Sequence, residues 1–130
     1  MAGYAKGAKA ERELIEMFWN NGYAAMRAAG SGISRLPSVD VIAGNGKKTF
    51  AVECKAIKSG YVYLEKEEIV KLLTFSQKFG AMPYVAVRFA KDDWSFLHAG
   101  KIQTTGTGKF KITRKIAEES GKSFEKLVEK

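Results

Sequence analysis

The order of apolar and polar positions divides the chain into helical and extended segments. From about Lys6 to Asn20, Leu14, Ile15 and Phe18 fall on one helical stripe, and Asn21-Gly22 supplies a stop. Tyr23 to Arg27 has the composition of a strand. Gly30-Ser31-Gly32-Ile33-Ser34 is glycine-rich and polar enough for a loop, and Pro37 keeps helix from forming before the next strand. Val39 to Ala43 and Thr49 to Lys55 are β-rich runs on either side of Gly44-Asn45-Gly46, and Asn-Gly between two such runs is a strong hairpin signal. Tyr61-Val62-Tyr63 fits a short strand. Glu65 to Phe79 fits a second helix, with acids in its first turn and Gly80 past its end. Tyr84 to Phe89 and Trp94 to His98 form a second hairpin pattern across Lys91-Asp92-Asp93. Beyond Lys101 the pattern weakens. It leaves a short amphipathic helix over Phe124 to Val128 and a stretch around Gly106 and Gly108 whose glycines and threonines predict mobility.

Helix, three strands, helix, two strands is the order of an α/β protein with a central mixed sheet flanked by helices. There is no internal repeat, low-complexity block or proline-rich linker, so residues 1–130 are expected to form one domain, weakly patterned from about residue 100. A chain of this size buries roughly two-thirds of its unfolded surface and needs no covalent staple. It has no run of about 18 apolar residues and no secretory h-region at its start, which predicts a soluble, intracellular protein with no membrane partner.

The charge narrows the class of partner. Twenty-two Lys and Arg against fourteen Asp and Glu leave a net charge of +8, which favours a polyanion, nucleic acid first. Residues 1–60 and 61–130 each net +4, so the basic character belongs to the domain and not to a tail. The stretch 99–117 holds Lys101, Lys109, Lys111, Arg114 and Lys115 and no acid; a phosphate-facing edge and a solvated loop are both consistent with it. With Cys54 and His98 each the only residue of its type, neither a disulfide nor a Cys/His zinc site can form, and a bound metal must take oxygen ligands.

Candidate chemistry lies where carboxylates occupy unexpected faces. Strand alternation puts Phe50, Val52 and Cys54 on one face and Ala51, Glu53 and Lys55 on the other. If Asn45 and Gly46 are the two central turn residues, position 40 pairs with position 51. Asp40 then shares the face of Glu53 as its diagonal neighbour, roughly 7–8 Å away at the backbone. Glu11 lies on the apolar stripe of the first helix, where a carboxylate requires a cation, a basic side chain or water. Such an all-oxygen set suits Mg²⁺, with Mn²⁺ as a substitute, and phosphodiester hydrolysis uses it. Lys55 would act electrostatically, since as a base it would need a strongly lowered pKa. The plainer alternatives are an exposed Glu53–Lys55 ion pair and a Glu11 that answers Lys6 and Lys9 at a helix start. Cys54 points to the opposite face as a core residue, and His98 is expected to be structural. The 44–49 segment lacks the spacing of a phosphate loop.

Asp40 followed by Glu53-Cys54-Lys55 resembles the D…(D/E)-x-K core of restriction-endonuclease-like nucleases. Ala10-Glu11-Arg12-Glu13-Leu14, Arg27-Ala28-Ala29-Gly30-Ser31, Asp40-Val41-Ile42-Ala43 and the Phe75 to Gly80 helix end are together similar to the archaeal Holliday-junction resolvases, over roughly residues 5–98. The resemblance implies that Glu11, Asp40 and Glu53 are metal-linked acids and Lys55 the catalytic lysine. It implies phosphate contacts by Arg12 and Arg27, with Lys6 and Lys9 beside them, and a catalytic serine at Ser31, or Ser34 in its place. Two departures stand out: Val39 replaces a frequent proline, and the 33–38 loop is longer than in some members.

The resemblance also implies a nucleoid-associated homodimer that nicks four-way DNA junctions in pairs during recombination and repair, and it leaves any recruiting replication or recombination protein unspecified. Helix 65–79 has two apolar stripes, Ile69 with Leu73 and Leu72 with Phe75 and Phe79, which suit either a dimer contact or burial within one chain. The rival readings are a general repair or restriction-type endonuclease of the same fold and a non-catalytic DNA-binding module.

Overall fold

The computed structural model describes residues 2–28, 36–102 and 108–129, without the side chains of residues 2–7. Helix α1 (Ala2–Trp19) leads into β1 (Ala24–Arg27), β2 (Val41–Gly44) and the long β3 (Thr49–Ile57). Then come β4 (Val62–Glu65), α2 (Lys66–Phe79), β5 (Met82–Phe89) and β6 (Ser95–His98). A 3-10 turn at Ala99–Lys101, β7 (Lys109–Ile112), α3 (Arg114–Ser120) and α4 (Phe124–Leu127) complete the described chain. Five strands form one sheet in the order β1-β2-β3-β5-β6, and β4 pairs with β7 in a separate two-stranded ribbon. Only β3 and β5 run parallel among the described pairs, as the crossover through β4 and α2 requires. The sheet is therefore mixed, as the pattern predicts.

Alternation along β3 sorts side chains into two cores. Phe50 and Val52 face α1 and α4, where Leu14, Phe18, Phe124 and Leu127 close one layer. Ala51 faces the other layer, with Ile69 and Leu72 of α2, Val85 and Val87 of β5, and Val62, Leu64 and Ile112 from the inner side of the ribbon. The helix at 124–127 matches its expectation, whereas β7 and α3 lie in the weakly patterned segment. Gly106 lies outside the described residues. Gly108 is held in place, its carbonyl accepting from Lys66 N at 2.8 Å.

The hairpin register differs from the expected one. Gly44 pairs with Thr49 and Val41 with Val52, so a four-residue loop, Asn45 to Lys48, replaces the two-residue turn. Asn45 causes this, because its side-chain oxygen accepts from Lys47 N at 2.9 Å and Lys48 N at 2.7 Å while its own N–H reaches Lys48 O. Asp40 thus lies opposite Glu53 and not opposite Ala51. A shift of two residues keeps every side chain on its face.

Candidate active site

Asp40 sits in the bend just before β2, with backbone bonds on both sides: its N–H donates to Val52 O at 3.1 Å and its carbonyl accepts from Ala28 N at 2.9 Å. Its Oδ2 accepts from Cys54 N at 2.8 Å, which aims the carboxylate along β3 toward Glu53. The two acids are hydrogen-bonded, and Glu53 is pushed up to about 9, first by burial and then by the charge and hydrogen bond of Asp40, with Lys55 only partly offsetting this. Burial beside a second carboxylate thus favours the protonated form of Glu53.

Lys55, two residues on, donates to Glu68 Oε2 at 2.8 Å. Burial alone would lower its pKa, but the carboxylates of Glu68, Glu53 and Asp40 outweigh burial and raise it above the ordinary lysine value. Lys55 is therefore an ammonium at neutral pH, and the electrostatic role is the one its surroundings permit. Glu68 was not singled out in the sequence except as an acid at a helix start. The signal that marks it is the Glu65…Glu68 spacing, which forms a capping box with Glu68 Oε1 accepting from Glu65 N at 3.1 Å.

Glu11 enters from α1. Its pKa is raised by burial and by the charge of Asp40, against the lowering effect of Arg27. Arg27 Nε lies 2.5 Å from Glu11 Oε2 as an ion pair, and that oxygen is buried. The pKa values of Glu11 and Glu53 are both raised by the charge of Asp40, which describes a site short of positive charge. Its donors are all oxygens, so it fits a hard divalent cation. As the side chains stand, no three Asp, Glu, His or Cys among the described residues converge on one ion; Glu11 is turned toward Arg27.

The remaining expected site residues divide into surface and undescribed positions. Lys9 and Arg12 are exposed on α1, Arg27 is exposed at the end of β1, and the side chains of Lys6 and Ser31, like Ser34, lie outside the described residues. Burial raises the Cys54 thiol well above its ordinary value, as an inert core position requires. His98 accepts from Gly100 N at 3.0 Å through Nδ1 and, lowered by burial, Lys101 and Lys122, stays neutral as a turn-holding group. Outside the site, Glu13 pairs with Arg88, joining α1 to β5.

A family model described as archaeal Holliday junction resolvase (Hjc) matches residues 2–130. The chain belongs to this family. It is 38% identical over 128 residues to the crossover junction endodeoxyribonuclease Hjc of Archaeoglobus fulgidus, with 93% of each chain covered. It is 31% identical over 130 residues to that of Sulfolobus acidocaldarius, covering 98% of this chain and 90% of the relative. The solved structure of Archaeoglobus fulgidus Hjc, a Holliday junction resolvase from an archaeal hyperthermophile, superimposes with a TM-score of 0.86 at 34% identity, over 94% of this chain and 99% of that one. The mixed sheet with Asp40, Glu53 and Lys55 on one face is thus set in the fold of the Hjc family, a restriction-endonuclease-like fold.

Proposed function

We propose that this chain is a crossover junction endodeoxyribonuclease that cleaves four-way DNA junctions through a divalent-cation site formed by Asp40 and Glu53, with Glu11 at its edge. The observation that carries this reading is the placement of Asp40 opposite Glu53 on neighbouring strands, its carboxylate fixed by Cys54 N, beside a Lys55 ammonium held by Glu68. Mg²⁺, or Mn²⁺ in its place, would supply Lewis acidity to the phosphate and lower the pKa of a bound water. Asp40 and Glu53 would hold the cation through their carboxylate oxygens. Lys55 keeps its proton and places positive charge where negative charge accumulates on the phosphorane oxygens. Arg12 and Arg27, with Lys6 and Lys9, would hold flanking phosphates, and Ser31 would approach the scissile strand from the 30–34 loop.

Paired nicks need two sites, and the chain has a surface suited to a second copy. Met26, Trp19 and Phe79 are 63%, 59% and 57% exposed and line one apolar groove beside β1 and β2. Phe75 and Phe79 stack at 5.3 Å on the end of α2, while Ile69 and Leu72 are buried against the sheet. Docking of a second copy over this groove would give a two-fold dimer matched to the near two-fold symmetry of a four-way junction.

The test compares an immobile junction with a linear duplex of the same sequence in Mg²⁺, using the native protein and Asp40→Asn. Paired, symmetry-related nicks confined to the junction, lost in Asp40→Asn while binding persists, are expected. Unchanged cleavage by Asp40→Asn would overturn the metal-site reading, and equal cutting of both substrates would make the chain a general nuclease. Binding by the native protein without cutting would leave the non-catalytic module.

A further inference from the structure

The β4–β7 ribbon has an outer face that the site described above does not use. Tyr63 lies directly opposite Lys111 and Glu65 opposite Lys109. Val62, Leu64 and Ile112 point inward and are buried, so alternation sends Tyr61, Tyr63, Lys109 and Lys111 outward, and all four are exposed. The four are ordered against one another. Lys111 Nζ stands 4.1 Å from the centre of the Tyr61 ring, Lys109 Nζ stands 5.8 Å from that of Tyr63, and the two rings meet edge to face at 5.0 Å. Lys109 also reaches Glu65 at 3.8 Å. A sheet face needs no tyrosines to be soluble, and two lysines held over two rings have given up part of the freedom of a solvated lysine.

The ribbon is tied to the active site. Its first strand ends at Glu65, the cap of α2, and one turn later Glu68 holds Lys55. The start of β7 is fixed to the same point by Lys66 N donating to Gly108 O. The base of the ribbon thus lies one helical turn from the acid that holds Lys55.

Resting on the reading of the chain as a junction nuclease, we propose that the outer face of the β4–β7 ribbon is a second DNA-contact surface. In it Lys109 and Lys111 bind backbone phosphates of the strand flanking the cut, and Tyr61 and Tyr63 are positioning residues that hold the two ammonium groups. Part of the acid-free stretch 99–117 thereby acquires a role as a phosphate-facing edge. This surface carries no base specificity, because an ammonium on a phosphate reads charge and position alone.

The experiment measures binding of a four-way junction as a function of salt for the native protein, the Lys109→Ala/Lys111→Ala variant and a Lys47→Ala/Lys126→Ala control. The control removes the same charge from the β2–β3 loop and from α4. The ribbon variant is expected to bind ~10-fold or more weakly, with a slope of log K against log salt shallower by about 2 per bound protomer, since each of the two lysines neutralises one phosphate. The control should match the native protein. Tyr61→Ala should reproduce about half of the change in slope and Tyr61→Phe, which keeps the ring, none of it. An unchanged slope in the ribbon variant, or an equal change in the control, overturns the proposal. A native protein that binds no junction overturns the reading on which it rests, whereas native binding matched by the ribbon variant overturns the ribbon alone.

Discussion

Glu53 carries a large electrostatic imbalance, and its sign fixes how stability should depend on pH. Its pKa rises from an ordinary 4.5 to about 9 on folding. Between those values the folded protein holds a proton that the unfolded chain has released, so the contribution of Glu53 to stability is full below about 4.5 and is lost as pH rises toward 9. In EDTA, the stability difference between Glu53→Gln and the native protein should therefore grow with pH, the variant being more stable by ~1–3 kcal/mol at pH 8.5. Chemical denaturation at pH 5 and pH 8.5 checks this, and a difference that does not change with pH would show that folding leaves the Glu53 carboxyl unshifted. Under the proposed metal site, Mg²⁺ should raise the Tm of the native protein at pH 8.5 more than that of Glu53→Gln, because a cation held by Asp40 and Glu53 would take the place of the Glu53 proton.

At the scale of single elements, α2 connects the site to the rest of the fold. Glu68 caps its first turn and also holds Lys55. Glu68→Gln keeps one acceptor oxygen, enough for the Glu65 N–H, and puts a donor-only amide nitrogen where the oxygen that holds Lys55 stood, so it should cost under about 1 kcal/mol in stability and lower cleavage by ~10-fold or more by loosening Lys55. Equal cleavage by variant and native protein would make Glu68 a cap and nothing more. At the far end of α2, Gly80 adopts φ 86 with open space around its Cβ position. Gly80→Ala should thus cost about 1 kcal/mol from backbone strain alone, with activity per folded molecule retained; a calorimetric scan beside the cleavage assay measures both.

These elements also show what was legible in the chain and why. The site hairpin was, because its alternation, its Asn-Gly signal and its three charged residues lie within sixteen positions, from Asp40 to Lys55. Its register was not, because the hydrogen bonds of Asn45 to Lys47 and Lys48 widen the turn and no periodicity records them. Glu11 was flagged by its apolar stripe, whereas Glu68 was hidden by a position that also suits an ordinary helix-dipole acid. Strand β7 escaped notice because Lys109-Phe110-Lys111-Ile112 is short and its partner, β4, lies more than forty residues away. Expectations at Ser31, Ser34 and the side chain of Lys6 fall outside the described residues.

For the whole molecule, the apolar groove at Trp19, Met26 and Phe79 and the basic surface make opposite demands on solvent. A dimer formed over the groove should weaken when charge is placed there. Phe79→Glu should convert a dimer to a monomer in sedimentation equilibrium while far-UV circular dichroism is retained, since Phe79 is more than half exposed and its removal opens no cavity. A native protein that sediments as a monomer at micromolar concentration would overturn the dimer reading. DNA affinity, by contrast, should fall steeply with salt in native protein and monomeric variant alike, as it draws on the +8 charge of each chain.

The wide loop of the β2–β3 hairpin bears on how this lineage can change length. Since side chains alternate with a period of two, adding or deleting residues within Asn45–Lys48 alters only the turn, far along β3 from Glu53 and Lys55. A single residue inserted between Phe50 and Glu53 would instead turn the acid and the lysine into the layer beneath α1 and bring Val52 and Cys54 out in their place. Natural variation in this hairpin should accordingly collect at its tip, while the strand that carries the chemistry keeps an unbroken count.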